Sequence, residues 1–519
     1  MKGILSFLEE HRDSKPISFH MPGHKGKDFY ESLGMGSFDR GCSDMDITEI
    51  SGADNLFQPE GIIRETMDKY KKLYGSEESF LLINGSSCGI IAAILASLET
   101  GGKLLMARNS HKSVYNALEL GKIEPVYVYP KPTREYGLMG QISPEDVKVA
   151  LEENPDVKAV IVPSPNYYGI CSDIRSIADI SHSHGALLIV DQAHGAHLKF
   201  MKEAMAAENL GADIVINSTH KTLASFTQTA ILNLCSDRIS KESVAHHLHL
   251  LESTSPSYLL MASLDVNADI IQNYGQGLFM AWQKNLDFFY DEAMWIRGLM
   301  TMDDPDLDRT KIILDMSYLD LTGSRLAHEL EKRGIFTELS DGAIVMCMTG
   351  IGNKRYDYER LLMALSEISE ERIDEAIDRA CKREALRAEF DERRDRLKAA
   401  VFQAKSKVEL DEIEKSLQAL EDEKDLSSDE YQNYSYELEG GAEWVGFPKG
   451  KKSVPLKDSA GEVAATCLTP YPPGVPIICP GEVITEEVIN HLLALRASGK
   501  KVTGLGAEGT VLVASEITT

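Results

Sequence analysis

The sequence has 519 residues, of which 43% are hydrophobic and 26% are charged, and its formal net charge at pH 7 is -27. This length and balance are typical of a globular chain with roughly two to four domains and a large buried core. The excess of acidic side chains argues against a nucleic-acid partner, which requires clustered positive charge. It would attract a cationic ligand, although many acidic cytosolic proteins have the same balance.

Neither a secretion signal nor a membrane span is predicted. Charged residues interrupt the N-terminus after a very short apolar run, and no apolar stretch reaches the length of about 18 residues that a spanning helix requires. The eight cysteines are scattered without the spacing of a metal site. We therefore expect a cytoplasmic protein with reduced cysteines, no bound metal and no membrane partner.

The first half of the chain has the pattern of an α/β domain preceded by an irregular arm. Residues 1–60 predict a short helix and then a segment rich in Gly, Pro, Asp and His. In residues 61–275, apolar runs alternate with helical stretches such as Ile62–Tyr74 and Ile90–Leu98. This alternation predicts a mostly parallel seven-stranded sheet with helices on both faces. The candidate strands are Ser79–Ile83, Lys103–Ala107, Pro125–Tyr129, Val157–Pro163, Ala186–Val190, Asp213–Asn217 and Thr229–Leu234.

The pattern changes in the second half. Residues 276–365 predict a small α/β domain, and residues 366–519 predict a C-terminal α+β domain with a helical insertion. From Glu370 to about Asp425 the chain is charged and helical, and its apolar stripe consists of Leu410, Ile413, Leu417 and Leu420. Two interpretations stay open for this stretch: a hairpin docked on the protein or between subunits, and an exposed amphipathic helix.

Polar segments follow or end several predicted strands, at the edge where ligands bind in open α/β sheets. The first segment, Asn84–Gly89, places glycine and small hydroxyl residues between a strand and a helix. Backbone N–H groups and the helix dipole at such a position favour a phosphate. Serine here is also common as an ordinary helix cap.

A carboxylate stands at the end of another apolar strand, at Asp191. Burying it there is costly without a charged partner. A protonated pyridine nitrogen would be such a partner and would keep the ring an electron sink. Ala193 is small enough for a ring to lie against the backbone. Capping of the following helix is the alternative role of Asp191.

A lysine lies one strand–helix–strand step downstream of Asp191. Lys221 follows a predicted strand and a Ser-Thr-His run, so it is placed to form an imine while the hydroxyls hold phosphate. His111 follows a further strand, and its imidazole could stack on a ring or move a proton. Taken singly, Lys221 could be a solvated lysine and His111 a cap or core histidine. Together the segments predict a pyridoxal-5′-phosphate (PLP) site.

The same segments resemble the ornithine/lysine/arginine decarboxylase family, which has the aspartate-aminotransferase-like fold (PLP fold type I). The resemblance covers nearly the whole chain, and the chain resembles the short form, which lacks an N-terminal wing domain. Its motifs are FHMPGHKG (19–26), NGSSCG (84–89), NSHKS (109–113), PNYYG (165–169), VDQAHGAH (190–197), STHKTL (218–223), TSPSYLLMASLD (254–265) and PYPPGVPIICPGE (470–482).

The resemblance implies a role for each matching residue. Lys221 forms the Schiff base with PLP, Asp191 pairs with the pyridine nitrogen, and His111 stacks on the ring. The phosphate ligands are implied to be Ser86, Ser87, Ser218 and His220, with Thr254 or Ser255 from a second subunit. The remaining contacts are implied for Ala193 and His194 beside the cofactor and for Glu482 at the substrate end. A homodimer or larger homo-oligomer is the implied active unit.

The implied reaction is decarboxylation of a basic amino acid, in which Lys221 or His111 returns a proton to Cα. Arginine, giving agmatine for polyamine synthesis, is the first candidate substrate; lysine, giving cadaverine, is second, and ornithine, giving putrescine, is third. An aminotransferase or lyase of the same fold is an alternative, although we see no strong candidate for a carboxylate-binding arginine in the C-terminal region. A non-catalytic relative would be expected to lose Lys221, Asp191 or the phosphate hydroxyls, and all are present.

Overall fold

The structure is a computed structural model that describes residues 11–36, 45–98, 100–133, 136–401, 415–416, 442–470, 474–497, 500–506 and 508–518. In the N-terminal arm, strand β1 (Ile17–Phe19) and helix α1 (Lys27–Ser32) flank the loop that carries the HMPGHKG motif. Residues 11–13 are helical, whereas the first ten residues of the predicted N-terminal helix lie outside the described residues.

A seven-stranded sheet forms the centre of the chain, as predicted. Its strands are β2 (Glu78–Leu82), β3 (Lys103–Ala107), β4 (Glu124–Val128), β5 (Ala159–Pro163), β6 (Leu187–Asp191), β7 (Ile214–Asn217) and β8 (Ala230–Leu234). The order across the sheet is β2-β8-β7-β6-β5-β3-β4, and β8 alone runs antiparallel to its neighbours β2 and β7. Every predicted strand is confirmed, with ends that differ by at most two residues.

Helices cover both faces of this sheet because successive strand residues point to opposite sides and both sides are apolar. Ile161 and Ile189 pack with the helices of one face, whereas Val162 and Val190 pack with those of the other. The helices of this region are α2 (Ile62–Tyr74), α3 (Gly85–Ser97), α4 (Lys112–Gly121), α5 (Pro144–Glu153), α6 (Ile174–Ser183), α7 (Leu198–Met201), α8 (Thr219–Thr222) and α9 (Lys241–Leu251).

Helix α10 (Tyr258–Ala293) runs from the large sheet to a smaller four-stranded one. The elements that follow it are β9 (Met300–Thr301), β10 (Lys311–Asp315), α11 (Gly323–Lys332), β11 (Ile335–Thr337), β12 (Leu339–Asp341), β13 (Ile344–Met348) and α12 (Arg355–Val401). The small sheet has the order β12-β13-β10-β9, and β1 of the arm pairs with β11. The predicted boundaries after residues 275 and 365 fall inside α10 and α12, and the division into domains stays a prediction.

The C-terminal region combines a helix with short antiparallel pairs, as expected for an α+β domain. Its elements are β14 (Phe447–Pro455), β15 (Thr469–Pro470), α13 (Glu486–Ala497), β16 (Val502–Thr503) and β17 (Thr510–Thr518). The predicted apolar stripe of Leu410, Ile413, Leu417 and Leu420 lies outside the described residues. Within the described ranges, no helix has both the length and the apolar character needed to cross a membrane.

Candidate active site

A cavity of about 400 Å³ lies at one edge of the large sheet. The carboxyl ends of β2, β3, β5, β6 and β7 all reach this edge, which is where ligands bind in sheets of this kind. The predicted residues that line the cavity are Ser86, Ser87, His111, Asp191, Ala193, His194, His220 and Lys221. The structure therefore brings most of the predicted site into one cavity.

The start of helix α3 provides an anion-binding end to the cavity. Gly85 has a φ of 78°, in the left-handed region that favours glycine, and this turns the chain directly from β2 into the helix. Asn84 gives no side-chain cap to the helix. The first N–H groups of the helix and the hydroxyls of Ser86 and Ser87 are thus available to a phosphate.

Asp191 ends β6 with its carboxylate in the cavity wall. The residue is 8% exposed, and the carboxylate accepts a hydrogen bond from the Ala193 N–H at 3.1 Å. Burial raises the pKa of Asp191, and the Lys221 cation and the Ala193 N–H act in the opposite direction. A carboxylate in this position is stabilised by a cationic ring nitrogen.

Lys221 lies on α8, the short helix that follows β7. The pKa of Lys221 is lowered to about 8, chiefly by burial and also by the Lys311 cation. The carboxylates of Asp191 and Glu338 act in the opposite direction and raise it. The Nζ of Lys221 lies 2.9 Å from Nε2 of His194. Burial also holds the pKa of His194 far below its usual value, so Nζ donates this hydrogen bond to a neutral imidazole. A lysine with this pKa has an appreciable neutral fraction near pH 7 and is a better nucleophile than a solvated one.

Two further histidines face the cavity in their neutral forms. Burial, together with the cations of Lys221 and Lys112, lowers the pKa of His111 to about 4. Its Nδ1 caps α4 by accepting from the Ser113 N–H at 3.3 Å. Burial also lowers the pKa of His220 to about 4, although its Nδ1 donates to the Thr229 carbonyl at 2.7 Å. A dianionic phosphate nearby would raise the pKa of His220 and favour its role as a donor.

Three predicted phosphate ligands do not line the cavity of this chain. Ser218 is fully buried, and its Oγ has no hydrogen-bond partner among the described residues. Thr254 and Ser255 are exposed, and their predicted contact with a second subunit stays a prediction.

Glu482 does not line the cavity, and its predicted place at the substrate end stays a prediction. Glu482 is fully buried outside the cavity wall, and its Oε2 accepts from Arg108 Nη2 at 2.9 Å and from the Cys479 N–H at 2.7 Å. The buried Arg108 requires a counter-ion, and Glu482 provides it. Arg108 also donates to the Pro476 and Ile477 carbonyls. This pairing fixes the C-terminal loop beside the cavity and accounts for the presence of Val475 in its wall.

The cavity has lining residues that the sequence analysis did not assign. Seven of them lie in quoted motifs, which could have indicated them: Met21, Asn84, Gly85, Asn109, Pro165, Tyr167 and Val475. The others are Pro163, Thr227 and Gln228. Thr227 and Gln228 precede β8, whose amino end faces the cavity because this strand is antiparallel. A search at the carboxyl ends of strands therefore misses them.

Comparison with known proteins places this site in a family. The model "Orn/Lys/Arg decarboxylase, major domain" matches residues 3–292, and "Orn/Lys/Arg decarboxylase, C-terminal domain" matches residues 447–514. The chain belongs to the ornithine/lysine/arginine decarboxylase family. Decarboxylation of a basic amino acid is the reaction of this family.

Individual members of the ornithine/lysine/arginine decarboxylase family align over nearly the whole chain. The arginine decarboxylase of Bacillus subtilis is 30% identical over 96% of this chain and 94% of its own length. The constitutive lysine decarboxylase of Escherichia coli is 23% identical over 97% of this chain and 78% of its own. The solved lysine decarboxylase A of Pseudomonas aeruginosa has the same fold, with a TM-score of 0.69, 19% identity, and coverage of 98% of this chain and 80% of its own.

The family depends on PLP, and the residues present fit this cofactor. The uncapped start of α3 suits the phosphate, the buried carboxylate of Asp191 suits a pyridinium, and the pKa of Lys221 suits imine formation. The volume of about 400 Å³ lies within the range of small-molecule pockets. PLP would lie between these three groups, with His111 and Ala193 lining the same space.

Proposed function

We propose that arginine is the preferred substrate of this decarboxylase and that the products are agmatine and CO₂. The observation that carries the chemistry is the presence of a half-buried Lys221, with a pKa of about 8, and a buried Asp191 in one cavity. The choice of arginine is supported by the 30% identity, over 94% of its length, to the arginine decarboxylase of Bacillus subtilis. Agmatine as product would assign the chain to polyamine synthesis.

The residues of the cavity have separate tasks in this reaction. When bound, PLP supplies an electron sink for the bond that loses CO₂. Asp191 keeps a proton on the ring nitrogen, and the start of α3 holds the phosphate. The neutral His111 lines the same cavity, and the ammonium form of Lys221 or the imidazole of His111 would return a proton to Cα. The cavity walls limit the access of water to the departing carboxylate.

We further propose a cytoplasmic homodimer or larger homo-oligomer as the active form. Thr254 and Ser255 are exposed on this chain, so a partner subunit could use them as phosphate ligands. The seven described cysteines are all unpaired, which suits a reducing compartment.

Product analysis with three substrates tests the proposal. The purified chain with PLP is incubated separately with arginine, lysine and ornithine, the amines are identified by mass spectrometry, and kcat/KM is measured for each. We expect agmatine, with a kcat/KM for arginine at least about 10-fold above the others, since one or two methylenes change binding by this order. Cadaverine as the main product would identify lysine as the preferred substrate, and putrescine would identify ornithine. Pyridoxamine without any amine would favour an aminotransferase.

A further inference from the structure

A second carboxylate, that of Glu338, lies directly behind the cavity wall: it does not line the cavity itself, but both groups that donate hydrogen bonds to it belong to lining residues. Glu338 is a half-buried residue between β11 and β12 of the small sheet. Its Oε1 accepts a hydrogen bond from the Tyr167 hydroxyl at 3.1 Å, and its Oε2 accepts from the Met21 N–H at 3.1 Å. Tyr167 and Met21 both line the cavity, and the Tyr167 ring packs edge-on against His194, 4.9 Å away between ring centroids. The carboxylate is therefore held in a fixed orientation at the wall.

Glu338 has no ion-pair partner in the part of the chain that the structure describes. The nearby Lys25 directs its Nζ to the His20 carbonyl at 2.6 Å and the Met348 carbonyl at 3.3 Å. The field of Glu338 reaches Lys221, since the carboxylates of Asp191 and Glu338 are the two acidic groups that raise the pKa of this lysine. We have assigned the carboxylate of Asp191 to pairing with the protonated ring nitrogen of the cofactor. Glu338 is thus a carboxylate whose field reaches the reacting amine and which forms no ion pair with any residue in the described ranges.

A basic amino acid carries one cation besides its reacting α-amine, and this cation lies at the end of the side chain. Each oxygen of Glu338 has accepted one hydrogen bond and can accept another. A guanidinium presents paired N–H groups that match a carboxylate, and an ammonium presents three donors. The same charge repels the α-carboxylate of the substrate. It therefore disfavours the reversed orientation, in which the carboxylate would lie at this wall.

We infer that Glu338 is the acidic subsite that binds the cationic end of the substrate side chain. This inference rests on the proposed function and extends it to a specificity-determining residue, for which the sequence contained no pattern. The competing account is that Glu338 only anchors Tyr167 and the N-terminal arm. A purely structural role would affect all ligands equally, whereas a recognition role depends on the charge at the ligand's far end.

The Glu338→Gln variant separates these accounts because the amide keeps the shape and removes the charge. The measurements are the KM for arginine and the inhibition constants of agmatine, which has a cationic end, and of pentylamine, which has an apolar end. We expect the KM for arginine and the inhibition constant of agmatine to rise about 10- to 100-fold, the range for a lost hydrogen bond between charged groups. The inhibition constant of pentylamine should stay within about 3-fold of wild type. Equal changes for both inhibitors, or no change, would overturn the inference.

Two further variants complete the test. Asp341→Asn is the control, because Asp341 lies in the same part of the small sheet but its partners, the Tyr168 hydroxyl at 2.9 Å and the Lys500 cation, belong to residues that do not line the cavity. It should leave both inhibition constants unchanged. If Glu338→Gln does not fold, Glu338→Asp keeps the charge on a shorter side chain. It should weaken agmatine more than pentylamine, and an equal loss of both would overturn the inference.

Failure of this inference can be distinguished from failure of the proposed function. A wild-type protein that releases no amine from arginine, lysine or ornithine contradicts the proposed function, and the Glu338 subsite with it. A wild-type protein that releases the amine while Glu338→Gln keeps the wild-type discrimination contradicts the subsite alone. If lysine is the substrate, cadaverine replaces agmatine in the same comparison.

Discussion

Burial is the largest influence on both groups that we assign to the chemistry. It lowers the pKa of Lys221 to about 8 and raises that of Asp191, and in both cases the charged neighbours have the smaller effect. Each group is thereby shifted towards its neutral form when no ligand is bound. A cationic ring nitrogen beside Asp191 would restore its charged form, and imine formation at Lys221 requires the neutral amine, so both shifts fit the cofactor. The cavity is suited to its cofactor before the cofactor binds.

Asp191→Asn should lower kcat for decarboxylation by roughly 10²- to 10³-fold, the usual effect of losing one preorganised electrostatic contact. The reason is that an amide cannot hold a proton on the ring nitrogen. Asp173→Asn is the control, since Asp173 only caps α6 and asparagine caps a helix equally well. Wild-type kcat in Asp191→Asn, measured with PLP bound, would contradict the role of Asp191.

The rate at which the apoenzyme captures PLP should rise with pH and level off above about 8. A protonated amine is unreactive, and the pKa of Lys221 is about 8, so the reactive fraction grows about tenfold per pH unit below this value. Stopped-flow absorbance of apoenzyme mixed with PLP measures this rate. A capture rate that still rises tenfold per unit between pH 9 and 10 would show that the lysine is not perturbed.

The residues of the site differ in how far the sequence could indicate them. Lys221, Asp191 and His111 follow strands and lie in recognisable motifs, so they were found. Glu482 lies in a motif too, but a motif does not show that its carboxylate is paired with the buried Arg108. Glu338 was missed, because its approach to Tyr167 joins residues 171 positions apart in the chain. Such contacts depend on tertiary packing, which one sequence does not contain.

At the scale of elements, the N-terminal arm joins the Lys221 loop to the small sheet. The Gly23 N–H donates to the His220 carbonyl at 2.9 Å, and the Gly23 carbonyl accepts from the Gly352 N–H at 3.0 Å. A Cβ at Gly23 would lie 2.5 Å from the Leu223 carbonyl oxygen and 2.5 Å from the Thr222 carbonyl carbon. The glycine in the HMPGHKG motif is therefore required by a close approach between backbones.

Gly23→Ala should lower the free energy of unfolding by roughly 1–3 kcal/mol, the usual range for overpacking. It should also weaken PLP binding, because the backbone that must move belongs to the residues next to Lys221. Thermal unfolding and PLP titration measure the two effects. Gly277→Ala in α10 is the matched control: it has no heavy atom within 4 Å of the added Cβ and should be stabilising by about 0.5–1 kcal/mol. Equal behaviour of the two variants would contradict this packing.

The elements of the large sheet were easier to predict than their pairing. Runs such as Ala159–Pro163 and Leu187–Asp191 are apolar on both faces, so they indicate buried strands without further information. The pattern contains no information on strand direction, so the antiparallel β8 was not predicted. The path of α10 across the predicted domain boundary was missed for a related reason. A helix of 36 residues contacts both units, and only the packing decides to which it belongs.

At the scale of the whole molecule, the proposed oligomer assigns Thr254 and Ser255 to the site of a partner subunit. A hybrid dimer of a Lys221→Ala chain and a Thr254→Ala/Ser255→Ala chain then contains one intact site, built from the unaltered parts of both chains. Purified by two different affinity tags, the hybrid should recover about half of the wild-type activity per dimer. The homodimer of each altered chain is the control and should be nearly inactive. An inactive hybrid would contradict a shared site.

The central claim, that Lys221 supports decarboxylation of a basic amino acid, is tested most directly by carboxyl-labelled substrate. Wild-type protein and Lys221→Ala are each given PLP and carboxyl-labelled arginine, and the labelled CO₂ is counted. We predict CO₂ and agmatine in equal amounts from wild type and a rate lower by at least about 10³-fold from Lys221→Ala, since the covalent step is lost. Lys148→Ala, at an exposed lysine, should match wild type. Wild-type CO₂ release from Lys221→Ala would contradict the account.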